Sequence, residues 1–189
     1  MMKFYNDLLK YVPKCEQEEK DKELILSLVK LCGEKILDRK TTFAHMSASG
    51  FVLNRDFTKV LLVYHNIFKS WAWTGGHSDN DPDLFRVAKK EVMEETGVEN
   101  LTPISSDIAS IEVLPVYHHY KNGMYVSNHL HLNVTYVFIA SEEEKLRIKE
   151  DENSGVMWVR VSELDKYVSE KPMIKVYEKI IRQAKEVIK

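Results

Sequence analysis

Cysteine is scarce in this chain: Cys15 and Cys32 are the two among 189 residues. Two cysteines exclude a disulfide framework and a four-cysteine zinc site. Both are expected to be reduced thiols in the core of a cytoplasmic protein. No apolar run approaches the roughly 18 residues of a membrane span, and Met1 to Asp7 lacks the apolar stretch of a signal peptide. No membrane partner is therefore expected. There is no internal repeat and no low-complexity segment. Neither sign of charge dominates, with 27 Lys and Arg against 29 Asp and Glu, a net charge of −2. A long nucleic acid is excluded as the main partner, because such binding needs a basic face. A small phosphorylated substrate remains open, provided a metal supplies the positive charge.

The apolar fraction of 44% and charged fraction of 30% describe a soluble globular protein. The length fits one domain with a helical extension, and suffices for a core without staples. Residues 3–12 read as a short helix. Glu16 to Leu37 reads as a longer one, with Leu24, Ile25, Leu28, Leu31, Cys32 and Ile36 at helical spacing. Ala48 to Leu53 and Lys59 to Tyr64 read as strands around the turn Asn54-Arg55-Asp56, and Asn66 to Asn80 as a loop. Asp83 to Thr96 reads as a helix, with Asp81 as N-cap, Pro82 as first helical residue and Gly97 as terminator. Ile108 to Tyr120 and Met124 to Ala140 read as strands joined by Lys121-Asn122-Gly123, a hairpin signal. Gly155 to Val161 reads as a strand, Ser162 to Leu164 as the start of a short helix, and Met173 to Ile188 as an amphipathic helix. This order implies mixed α/β or α+β layers and not the regular alternation of a doubly wound sheet.

The helix over 83–96 carries the chemistry. At about 100° per residue, Leu84, Phe85, Val87, Ala88 and Val92 share one broad side. Arg86, Lys89 and Lys90 face away from it. Glu91 and Glu95 fall in the sector of Leu84 and Ala88, with Glu94 at its border. A surface helix would place these glutamates with the lysines. Inward carboxylates must be desolvated, and at a helix C-terminus they oppose the macrodipole. Divalent metal ions offset both costs. Hard cations such as Mg²⁺ take one or two carboxylates plus substrate phosphate. The competing reading is a solvated Glu/Lys face.

On these residues the chain resembles the Nudix hydrolase family. The family box is Gly, five residues, Glu, seven residues, then Arg-Glu-apolar-x-Glu-Glu-x-Gly-apolar. Gly76, Glu91, Val92, Glu94, Glu95, Gly97 and Val98 match it. Pro82 stands where the family has its first Glu, and Lys90 where it has Arg. Lys keeps the charge of Arg but not its bidentate fork. Val60 to Val63, His65, Trp71 to His77, Asp79 to Asp81, His129-Leu130-His131, and Glu152 before Trp158 also look like one branch of the family. The resemblance spans roughly residues 44 to 164.

The resemblance implies an α/β/α sandwich with a mixed sheet. Residues 41–189 form the Nudix domain and residues 1–40 an N-terminal helical extension. It implies a Mg²⁺-dependent pyrophosphohydrolase, with Mn²⁺ as substitute, that cleaves a nucleoside diphosphate linked to another group by water attack on phosphorus. The partner is a small-molecule nucleotide derivative. The implied metal ligands are Glu91, Glu94, Glu95 and the carbonyl of Gly76 or Gly75. The catalytic set is Glu91, Glu94, Glu95 and Glu152. The base is a box glutamate or Glu152, with Glu150 and Asp151 as neighbouring alternatives. Two other readings stay open: a nucleoside triphosphate pyrophosphatase, and a non-catalytic nucleotide sensor suggested by Pro82 and Lys90.

Several residues stand beside this set. His129 and His131 share a strand face with Asn133. A zinc pair is conceivable, but polar strand-face residues are the preferred reading. His118 and His119 point to opposite faces and are poor joint ligands. His77 could touch phosphate. Trp71 and Trp73 could stack on a base or pack in the core, and Trp158 is expected in the core. Tyr117, Tyr120 and Tyr125 could serve a ligand or a homodimer.

Overall fold

The computed structural model describes residues 3–67, 69–121 and 123–187. Asn122 of the expected turn and Ile188 of the final helix lie outside the described residues. The chain begins with α1 (Lys3–Lys10) and α2 (Glu16–Cys32), followed by a 3₁₀ turn over Gly33–Leu37. Strands β1 (Ala44–Leu53), β2 (Lys59–His65), β3 (Ser70–Ala72) and β4 (Thr74–His77) precede α3 (Leu84–Thr96). Then come β5 (Thr102–Pro103), β6 (Ser110–Val116), β7 (His119–Lys121), β8 (Met124–Val126), β9 (His129–Ile139) and β10 (Asn153–Arg160). The short α4 (Leu164–Tyr167) and the long α5 (Lys171–Val187) close the chain.

The described strands form one mixed sheet of eight and a separate ribbon of two, β7–β8. The main path runs β10-β2-β1-β9-β5, with β3 on β2, β4 on β1 and β6 on β9. β1 and β9 pair in parallel, His45 opposite His131 and Ser49 opposite Thr135, and the other pairs are antiparallel. Period-two alternation gives the sheet two faces. Met46, Ala48, Val52, Leu132, Val134 and Phe138 enter the core with Ala88 and Val92 of α3. Gly50 permits the close approach of α3, since a Cβ there would stand 2.1 Å from the Val92 side chain. Phe51, Leu53 and Val137 face the other way, against Tyr177, Ile180 and Ile181 of α5. Helices thus cover both faces of a mixed sheet, as expected.

The N-terminal helices do not stand apart from this core. Phe4, Leu8, Ile25, Val29, Ile36 and Leu37 are buried in the same cluster as Met46, Leu132 and Val92. Lys179 on α5 reaches across to Glu18 of α2 at 2.8 Å and Glu112 of β6 at 3.0 Å.

Some boundaries differ from the sequence reading. The segment read as a loop over 66–80 holds β3 and β4. Their partners on β2 and β1 satisfy backbone groups that segments of three and four residues do not advertise. The helical cap is Asp83, whose side chain accepts from the Arg86 N–H at 3.3 Å. Asp81 instead accepts from the Asp83 N–H at 2.8 Å and binds Arg86, and Pro82 lies in the preceding turn. Gly97 ends the helix at φ 77°, as read. The long hairpin is broken after β6 and before β9, and the β7–β8 ribbon continues it. Cys15 and Cys32 are free thiols; Cys32 is partly buried against the core, whereas Cys15 is partly exposed outside it. Among the described residues, no helix is long and apolar enough to cross a membrane.

Candidate active site

The site is assembled from three elements. α3 contributes Glu91 and Glu95, one turn apart. β4 brings Gly75 and Gly76 alongside them. The turn before β10 contributes Glu152. One carboxylate oxygen from each of Glu91, Glu95 and Glu152 lies within 4.8 Å of the others. Glu95 is buried and accepts from the Gly75 N–H at 2.9 Å. The Asn153 amide holds the Glu95 carbonyl at 3.0 Å, tying the helix end to β10. Gly76 lies flat on Glu91, where a Cβ would come within 2.4 Å of the carboxylate carbon.

Burial pushes the Glu95 carboxyl up to about 8, against the lowering effect of the Gly75 N–H, and the nearby Glu91 and Glu152 add to the rise. Burial raises Glu91 as well, with Lys149 opposing it. These are the signs of anionic groups short of compensating positive charge. Lys149 supplies part of it, at 3.0 Å from Glu152 and 3.2 Å from Glu94. Burial works against its charge. The hydrogen bonds to Glu152 and Glu94 outweigh burial and hold it above the ordinary lysine range.

Glu94, expected with the others, stands outside the trio. Its carboxylate is shared by Lys149 and by Lys90 at 3.5 Å. Glu150 and Asp151 are not part of the trio either. The sequence alone does not single out Lys149 and Asn153. Their signal was proximity to Glu152, and it named no partner.

The tryptophans take packing places. Trp73 is buried against Phe51 and Tyr177, and its backbone N–H donates to the Tyr177 hydroxyl at 3.1 Å. Trp71 lies edge-on to Tyr64. Trp158 is partly buried against the core. Tyr117, Tyr120 and Tyr125 are exposed. His129 and His131 share the face of Asn133, as read, and that face is a polar interior. Asn133 accepts from Ser49 at 2.9 Å and from Ser47 at 3.2 Å, and donates to Thr135 at 3.1 Å. His77 joins His131 there, not the carboxylates, because alternation along β4 turns His77 away from the face of Gly76. Burial drives His77 down to about 3 and His131 to about 2.

Carboxylates gathered at a helix C-terminus beside a glycine strand, and only partly compensated by one lysine, can hold divalent metal and, with it, phosphate oxygens. Comparison with known proteins agrees. Structures similar to this one include a C. elegans Ap4A hydrolase, at 16% identity over 71% of this chain and 93% of that one, TM-score 0.51. They also include the E. coli dihydroneopterin triphosphate pyrophosphohydrolase, at 13% identity over 72% and 94%, TM-score 0.54. A third is the NUDIX domain of Shewanella oneidensis NrtR complexed with ADP ribose, at 18% identity over 80% and 94%, TM-score 0.50. No curated protein matches the chain. At these identities the structures establish the fold. The sequence model of the NUDIX domain matches residues 44–183, which include α3 and Glu152, and so the chain belongs to the NUDIX family.

Proposed function

We propose that this protein is a Mg²⁺-dependent pyrophosphohydrolase, with Mn²⁺ as a substitute, that cleaves a nucleoside diphosphate linked to another group. The observation that carries this reading is the convergence of Glu91, Glu95 and Glu152 from two separate elements. Glu91 and Glu95, with Glu152 beside them, would hold the metal, and the carbonyl of Gly75 or Gly76 is a further donor. The fit rests on the raised carboxyls of Glu91 and Glu95, which a divalent cation would neutralise. Bound metal would stabilise negative charge developing on the phosphoryl oxygens.

The chain's own groups supply the rest. The Gly75 N–H fixes one Glu95 carboxylate oxygen and so holds the side chain in place. Glu152 is the candidate base, because Lys149 both orients its carboxylate and sits beside it as a cation. A carboxylate so placed can take the proton of the attacking water as the oxygen closes on phosphorus. Glu94 is held by the same lysine and is a further candidate ligand on the rim.

The test is a panel of nucleoside diphosphate sugars, dinucleoside polyphosphates and nucleoside triphosphates, with and without Mg²⁺. The native protein and Glu95→Gln are compared. Metal-dependent nucleoside monophosphate from the first class, collapsing in the variant, supports the proposal. Free pyrophosphate from triphosphates would favour nucleotide-pool clean-up. Binding without turnover would favour the sensor, and Pro82→Glu would then be the reversion to make.

A further inference from the structure

On the other face of β4 from Gly76, four imidazoles crowd together. Parallel pairing puts His45 of β1 opposite His131 of β9, two residues along from His129. Antiparallel pairing puts His77 of β4 opposite Ser47, two residues along from His45. Ring centroids of His45 lie 4.9 Å from His77, 5.0 Å from His129 and 5.1 Å from His131. The ring nitrogens of His45, His77 and His131 include one from each residue that all lie within 4.8 Å of one another.

Hydrogen bonding alone does not account for this cluster. His131 Nε2 stands 3.2 Å from His77 Nε2 and 3.3 Å from His129 Nε2. A ring nitrogen has one in-plane direction, carrying either an N–H or a lone pair. His131 Nε2 can therefore satisfy one of these contacts and not both. His129 Nδ1 donates to the Ser127 carbonyl at 2.8 Å, which leaves Nε2 of the neutral ring as a lone pair. His45 Nδ1 donates to the Thr41 carbonyl at 3.3 Å, and its Nε2 is buried without a partner. Each of these two rings thus has one nitrogen pinned to a backbone carbonyl and the other presenting a lone pair. That is the arrangement of a metal-bound histidine.

We propose that His45, His77 and His131 bind a zinc-class divalent cation through their inner nitrogens, with His129 placed to complete the set. Imidazole ligands suit zinc and not the hard ions preferred by the carboxylate trio. Ligand nitrogens about 2.05 Å from a tetrahedral zinc stand about 3.3 Å apart, close to the two Nε2 separations here. The cation clamps β4 to β1 and β9. It thereby steadies the strand whose Gly75 and Gly76 meet Glu95 and Glu91 on α3.

The test is zinc binding by the full chain after chelator treatment, read by competition with a chromophoric chelator. The expected result is one zinc per chain, bound alike by native protein and Glu95→Gln. His131→Gln and His45→Gln should weaken it by about 100-fold or more. Circular dichroism checks that the variants are folded. Should they fail to fold, Co²⁺ in the native protein carries the test. Strong visible bands of a four-coordinate nitrogen site support the proposal, and the faint spectrum of a six-coordinate oxygen site overturns it. No zinc bound, zinc bound equally by folded His131→Gln, or zinc lost in Glu95→Gln and kept in His131→Gln would each overturn it as well.

Discussion

Gly76 and Glu91 are in face-to-face contact: a Cβ on Gly76 would stand 2.4 Å from the Glu91 carboxylate carbon and 2.5 Å from its Oε1. The glycine therefore sets where the carboxylate lies, by leaving room for it. Gly76→Ala should push Glu91 out of the trio. A displacement of an ångström at a reacting centre costs about 100-fold. The expected outcome is a fall of that order in kcat with little change in thermal stability, checked by steady-state kinetics and a melting curve.

Lys149 is the cation of this site, and it favours the ionised forms of Glu91 and Glu95. Lys149→Met removes that help. The carboxyls then ionise at higher pH, so the acid limb of kcat/KM moves alkaline, by roughly one pH unit. A pH–rate profile of variant and native protein measures the shift. An unmoved limb would mean that these carboxyls do not control the rate.

How much of this was legible in the sequence follows from how local each signal is. The α3 glutamates were readable because helical periodicity places them within a single element. The Asp83 cap was misplaced by two residues because aspartates at 81 and 83 flank Pro82, and either can cap. β3 and β4 were missed because each exists through its partner strand and is too short to show alternation. His45 carries no local signal. Its company with His131 is made by parallel pairing of β1 and β9, across the whole intervening chain. The packing of α1 and α2 into the sheet's own core was equally invisible, since amphipathicity shows an apolar face and not what covers it.

Lys179 ties α5 to α2 and β6 by serving Glu18 and Glu112, both buried. Lys179→Met would leave two carboxylates in the interior without their ammonium. Removing one partner from a buried ionic group costs about 3–5 kcal/mol. Urea unfolding should show a loss of that size at neutral pH. The loss should shrink at acid pH, where Glu112, already raised by burial, takes a proton.

Glu95 gives the metal-free protein a pH dependence of definite sign. Its folded-state carboxyl ionises near 8 because of burial, whereas an unfolded one ionises near ~4.3. Between those values the folded state binds the extra proton. Stability from this group is therefore largest at the acid end and is lost as pH rises toward 8. The size is on the order of a few kcal/mol. Glu95→Gln keeps the shape and cannot ionise, so its stability should stay flatter between pH 5 and about 8 than that of the native protein. Saturating Mg²⁺ should have the opposite effect on native protein, since the metal binds the ionised carboxylate and favours high pH. Chemical denaturation at several pH values, with chelator or Mg²⁺, checks both signs. The same Glu95→Gln protein should lose about 100-fold or more in kcat, the equivalent of about 3 kcal/mol or more of charge stabilisation at phosphorus. A variant flat in stability but fully active would separate the buried carboxyl from the chemistry and leave Glu91 and Glu152 to hold the metal.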